Sequence, residues 1–288
     1  MLYFQILANG LVLGGLYACI AAGFSLVWGV LNIINILHGS FIILGGYLAY
    51  FAYTLAGIHP FLSVLIAAPI FFTLGYALQR GLINRMIAAP VLLTLTLTFG
   101  LDLMLANGML AAFTADFRKI TLDPPLGVVL LGPVVLPKDR LAAMVLALAL
   151  VGLLYLTLSR SRIGRAIVAV RMDREAAALM GVRIESVYAV TFGLGTLMAG
   201  ASGPLIAMIF PISPLSGPLY LGKAFVVCVL GGLGSVPGAL VGGLALGLAE
   251  SFGALWLGPE HATTLSFVLL ILILLVRPEG LLGRKGYA

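Results

Sequence analysis

Charged and polar positions in this chain are crowded into one stretch, and apolar runs fill most of the remainder. Runs of about twenty apolar residues recur at 4–28, 39–56, 61–78, 91–112, 141–158, 187–209 and 239–256. Shorter ones lie at 219–230 and 264–276. A helix of about twenty residues crosses a hydrocarbon core of about 30 Å. Inside lipid the backbone must satisfy its own hydrogen bonds, so apolar runs of this length predict helices. The pattern therefore predicts an all-α, polytopic membrane protein of eight or nine crossings, one membrane domain over residues 1–288.

Two interruptions stand out. The link GVLNIINILH (29–38) carries Asn32, Asn35 and His38 but no formal charge. The segment GGLGSVPG (231–238) places Gly231, Gly232, Gly234, Pro237 and Gly238 between two apolar runs, and reads as a structural break. Alternation of the spans makes the first and sixth run in opposite senses. Each is followed by a Gly-, Asn- or Pro-rich break and another apolar run. That order suggests inverted repeats, which in transporters place the solute route at the repeat interface.

The polar stretch is 159–186, SRSRIGRAIVAVRMDREAAALMGVRIES. No Asp, Glu, Lys or Arg precedes Arg80, whereas this window holds Arg160, Arg162, Arg165, Arg171, Arg174 and Arg183 with Asp173, Glu175 and Glu185. Asp173 is a good N-cap, because its carboxylate can accept the free N–H groups of a first turn. Arg174 to Met180 are mostly strong helix formers, and Gly181 can take the left-handed conformation that ends a helix. Ala176, Ala177 and Ala178 leave room for close approach. The window reads either as a solvated loop or as a docking helix for a soluble subunit.

Composition narrows the class. Of the 288 residues, 62% are hydrophobic and only 9% charged, and the mean hydropathy is +1.18. The net charge of +6 does not indicate nucleic acid, because the basic residues flank spans, where they set orientation. Arg80, Arg85, the six window arginines, Arg277, Arg284 and Lys285 fall on one side. Arg118, Lys119, Lys138 and Arg140 fall on the other. The positive-inside bias puts the window and the C-terminus in the cytoplasm. Nine crossings place the N-terminus outside, eight inside. No cleavable signal is expected, since the first apolar run lacks a basic leader and itself serves for targeting. Cys19 and Cys228 lie in apolar runs and read as buried thiols, not as a disulfide framework or a metal site.

Candidate chemistry is sparse. GPLYLGKA (217–224) approaches a phosphate loop, but Ala224 replaces the metal-binding hydroxyl and Pro218 sits inside it, so no nucleotide site or other cofactor is expected. Gly232, Gly234 and Gly238 have the wrong spacing for a dinucleotide loop. No metal-ligand cluster occurs, and His38, His59 and His261 lie far apart. Asp102 falls inside a span, where a carboxylate costs roughly 2.5–3.5 kcal/mol on insertion scales and faces protein or a wet path. It reads equally as a proton carrier or amine ligand and as a packing partner of Lys223. Glu250 is late enough in its span to reach the interface. Thr94, Thr96 and Thr98 are expected to bond to carbonyls of their own helix.

Four ordered segments resemble the permease subunits of branched-chain amino acid ABC transporters, in particular the first of the two paired permeases. They are GVLNIINILHGSFIILGGY (29–47), GRAIVAVRMDREAAALMGV (164–182), GGLGSVPGALVGGLALGLAE (231–250) and SFVLLILILLVRPEGLLGR (266–284). The resemblance implies a bacterial inner-membrane importer. Two permease chains, usually different, form the path. Two cytoplasmic ATP-binding subunits drive it, and a periplasmic binding protein delivers leucine, isoleucine, valine or a related amino acid. The window then corresponds to the family's coupling segment, with Gly164, Arg165, Arg171, Asp173, Glu175, Ala176, Ala177 and Gly181 facing or shaping the ATPase contact. The chain itself would hydrolyse no ATP. Asn35, His38, Ser40 and Asp102 are the expected path residues. Ser40 departs from relatives that carry an acidic residue there, so specificity could differ. Permeases for sugars or urea share the wider superfamily. An ion-coupled secondary transporter using Asp102, and a membrane assembly subunit that moves nothing, are the other classes to separate.

Overall fold

A computed structural model describes residues 2–86, 90–132, 134–258, 261–277 and 279–282. The first four helices are α1 (Leu2–Leu31), α2 (Leu37–Ala56), α3 (Pro60–Gly81) and α4 (Val91–Phe113). A two-stranded antiparallel hairpin follows, β1 (Val128–Leu131) and β2 (Val134–Pro137). Then come α5 (Lys138–Arg160), α6 (Arg162–Met172), α7 (Arg174–Leu179), α8 (Ile184–Ile209), α9 (Gly217–Gly231), α10 (Val236–Leu257) and α11 (Ala262–Val276). Among the described residues, eight helical segments are long and apolar enough to cross a membrane, and α11 is a shorter apolar helix. The loop expected at 113–140 contains the hairpin, and the window folds into two helices, α6 and α7, where one was expected.

Two ends of the bundle can be told apart. At the hairpin end, Gln5 Nε2 donates to Val135 O at 2.9 Å and Gln5 Oε1 accepts from Val135 N at 2.8 Å. The end of α2 meets the same region, where Asp123 N donates to Tyr53 OH at 3.1 Å. The end of α8 does too, since Ile120 N donates to Ala207 O at 2.9 Å. At the window end, Asn84 Nδ2, just past α3, donates to Glu185 O at 3.2 Å. The chain after α11 returns there, with Leu281 N donating to Leu230 O at 2.7 Å. Successive spans alternate between these ends. Arg80, Arg85, the window and Arg277 share one end; Arg118, Lys119, Lys138 and Arg140 share the other. Arg284 and Lys285 lie outside the described residues.

The expected inversion is present in the packing. α1 lies along α10, and α8 lies along α3. Likewise α1 meets α9 and α8 meets α2, while α2 touches α3 and α4 as α9 touches α10 and α11. Each first helix thus packs on the third helix of the other unit. Small residues permit it: Gly10, Gly14, Gly243 and Gly247 bring the α1 and α10 backbones together, as membrane helices do when dispersion and polar contacts drive association.

The breaks bring two helix starts to the middle. α1 runs unbroken to Leu31, so the first break is only 32–36, and His38 belongs to α2. His38 Nε2 donates to Ile20 O at 2.9 Å. Ile20 lies about 16 Å short of the end of α1 at 1.5 Å per residue, so α2 begins deep in the bundle. α9 begins beside it, with Gly39 against the Gly217 carbonyl. From this junction α2 runs to the hairpin end and α9 to the window end.

Candidate translocation centre and coupling surface

At the window end, the two caps predicted from residue type, Asp173 and Gly181, both form, and Ser161 adds a third. Ser161 Oγ accepts from Gly164 N at 2.8 Å and starts α6. That helix buries Gly164, Ile167 and Val170 on one face. Gly164 sits under the carbonyls of Thr157 and Leu158, with no room for a side chain. Asp173 Oδ1 accepts from Glu175 N at 2.9 Å and Ala176 N at 3.0 Å, starting α7. Gly181, at φ +84°, ends it. Val182 N donates to Ala177 O and Gly181 N to Ala178 O, both at 3.0 Å, the paired bonds of a Schellman stop.

The side chains around α7 divide by face. Glu175, Ala176, Ala178 and Arg165 are exposed, but Ala177 is buried against the rest of the chain. Ala177 is therefore corrected from a surface position to a packing one. Leu179 and Met180 are 89% and 85% exposed, an apolar tip beside Glu175. Arg171 is exposed, yet its guanidinium packs beside Gly234 of the second break. Arg174 lies over the Tyr188 ring, 5.7 Å from its centroid.

At the centre, Asn35, His38, Ser40 and Asp102 are all buried. Ser40 Oγ donates to Asp102 Oδ1 at 2.5 Å, joining α2 to α4. Thr98 Oγ1 donates to Ile34 O at 3.0 Å and pins the first break to α4. The His38 ring stands edge-on to Phe24. His38 Nδ1 and both polar atoms of the Asn35 amide have no hydrogen-bond partner among the described residues. Buried polar groups are nearly always paired, so such orphans call for water or a solute. Asp102 contacts Ser40, and Lys223 is bonded elsewhere, so the alternative pairing of Asp102 with Lys223 is not formed. Thr94, Thr96 and Thr98 each donate to carbonyls within α4, as expected.

The partner of Lys223 is Glu250, at 2.9 Å. Glu250 was expected near the interface and is buried instead. Its Oε2 also accepts from Tyr17 OH at 2.6 Å, and its Oε1 accepts from Ser266 Oγ at 2.5 Å. Lys223 Nζ donates to Tyr17 OH at 2.6 Å. The network ties α1, α9, α10 and α11. Its one sequence signal was a lone cation and a lone acid inside two adjacent apolar runs.

The second break is built as its residues suggested. Gly232 and Gly234 have φ of +101° and +77°. Gly231 and Gly238 meet backbone to backbone. Ser235 Oγ accepts from Gly238 N at 3.0 Å and caps α10, with Pro237 in its first turn. Cys19 and Cys228 are buried free thiols inside α1 and α9.

Two inverted units, each a long helix followed by a break and a helix that starts mid-bundle, define a polytopic α-helical permease. The family model described as the branched-chain amino acid transport system / permease component matches residues 6–276, and the chain belongs to that family. It is 36% identical to the high-affinity branched-chain amino acid transport system permease protein BraD of Pseudomonas aeruginosa, over 98% of this chain and 96% of that protein. It is 33% identical to the corresponding permease protein LivH of Escherichia coli K12, with the same coverage. The fold is similar to PsaBC from Streptococcus pneumoniae in complex with Fab. There the TM-score is 0.50 and the identity 12%, over 96% of this chain and 93% of that one.

Proposed function

We propose that this chain is the membrane path subunit of a bacterial inner-membrane ABC importer for branched-chain or closely related amino acids. In this reading a second, different permease chain completes the path. Two separate ATP-binding subunits drive it from the cytoplasm, and a periplasmic binding protein delivers the solute. The window end faces the cytoplasm, because it gathers the excess of Arg and Lys. The chain supplies no ATPase site of its own.

The observation that carries this reading is the form of α7. It is a short helix capped at both ends, which presents Glu175 and the apolar pair Leu179 and Met180 to a partner. It is joined through Asp173 to α6, which packs on α5, α8 and the end of α1. A force applied to α7 therefore reaches spans of both inverted units. Arg171 links the same surface to the second break. Asn35, His38, Ser40 and Asp102 line the path in this reading, supported by their burial at the junction of α2 and α9 and by the Asn35 and His38 atoms that have no partner among the described residues.

The test is purification of the chain from its native membranes in mild detergent, with ATPase activity and amino-acid uptake measured on the reconstituted eluate. An ATPase should co-purify, and Glu175→Arg should detach it or uncouple hydrolysis from uptake while membrane insertion is kept. Normal uptake by Glu175→Arg would remove the coupling assignment. Uptake that survives without any ATPase and collapses with an ionophore would transfer the role to ion coupling at Asp102.

A further inference from the structure

Lys223 and Glu250 line a cavity of about 370 Å³ that reaches the first turns of α5 and α11 at the hairpin end. A pair kept only for packing has no need of open space beside it, and burying two charges is costly even when they are matched. The pair also has capacity to spare. Lys223 Nζ uses two of its three N–H groups, on Tyr17 and Glu250. Glu250 Oε1 accepts from Ser266 alone among the described residues. Arg140 lines the cavity wall and forms no salt bridge with a described carboxylate. Val12, Leu13 and Phe210 supply an apolar side. The volume lies within the range of small-ligand sites.

We propose that this cavity binds a free α-amino acid as its zwitterion, on the side from which the solute enters. Lys223 and Arg140 take the carboxylate, Glu250 takes the ammonium group, and the side chain lies against Val12, Leu13 and Phe210. This rests on the importer reading for its orientation and adds a site distinct from the Ser40–Asp102 contact. The specificity follows from the pair itself. A zwitterion brings one charge for each member, so both stay matched when their mutual bond opens. A carboxylic acid or an amine alone matches one member and leaves the other buried and unpaired, which is the costly case. Tyr17 and Ser266 hold the two charged groups in place throughout the exchange.

The experiment uses the assembled transporter in lipid nanodiscs without its binding protein. Binding of radiolabelled L-leucine and the accompanying rise in melting temperature are measured, with 4-methylpentanoate and isoamylamine as single-charge competitors. Leucine should bind and protect; neither competitor should displace it at equal concentration. The double substitution Lys223→Met with Glu250→Gln removes both charges at similar volume. It should keep its melting temperature to within about 5 °C but weaken leucine binding by about tenfold or more, the worth of one lost charge-assisted bond. Leucine binding unchanged in a folded double variant, or equal competition by the acid or amine, would overturn the site. Should the double variant not fold, the competition in the natural protein still decides. Leucine protection here without leucine uptake by ATP-loaded proteoliposomes of the same transporter supplied with its binding protein would overturn the importer reading and support the site. Uptake without protection would do the reverse.

Discussion

The two long seams of the bundle occupy equivalent places in the inverted units but achieve closeness differently. Along α1 and α10, backbone meets backbone: Gly247 lies against Gly14 N and Gly10 O, and Gly243 against Ala18. Along α3 and α8, glycines receive side chains, Phe71 at Gly200 and Thr196 at Gly75. The polar contacts of the two units differ in the same way. The first has one hydroxyl on one carboxylate, Ser40 on Asp102. The second has an ion pair held by a hydroxyl of its own, Ser266, and by the Tyr17 phenol that reaches across from α1. One architecture therefore tolerates two chemistries, and the second unit is the less forgiving.

That contrast can be broken by substitution, most severely at the ion pair. Lys223→Met alone leaves Glu250 charged and buried, and should cost about 3–5 kcal/mol, read as lost monodisperse protein in detergent. Gly247→Ala should cost about 3 kcal/mol. No partner truncation should restore it, because its neighbours are backbone atoms; thermal unfolding with and without changes in α1 checks this. Gly75→Ala should cost about 2 kcal/mol and be partly recovered by adding Thr196→Gly, because there the nearest obstacles are the Oγ1 and Cβ of a side chain, less about 1 kcal/mol for a glycine inside α8. Failure of that rescue would erase the distinction between the seams. Ser40→Ala removes the one hydrogen-bond partner of the Asp102 carboxylate among the described residues and should cost about 1.5 kcal/mol, less than the loss of Lys223. Smallest is Asp173→Ala, about 1 kcal/mol local to α7. It should appear as faster hydrogen exchange over residues 174–179 with the spans unchanged.

Much of the outline was legible because its signals are local. Run length predicted the spans, and the arginine bias sorted their ends. Asp173 and Gly181 marked the limits of α7 through capping chemistry that acts across a few residues. The Gly231–Gly238 break was visible for the same reason. α6 was missed because its amphipathic face, Gly164, Ile167 and Val170, hides within a run of arginines. Ala177 was placed on the surface because three consecutive alanines carry no sign of which one turns inward.

Apolar run length, charge placement and cap residues were thus enough for an all-α polytopic membrane protein with one charged helical window, since each depends only on near neighbours in the chain; the permease reading needed the resemblance of four ordered segments. Which carboxylate Lys223 would meet, how deep α2 and α9 begin, and which helices slide together on glycine were decided by the tertiary structure. Those outcomes join residues up to 233 positions apart, as Tyr17 and Glu250 are. They depend on how close two backbones can come, a quantity that no single segment encodes.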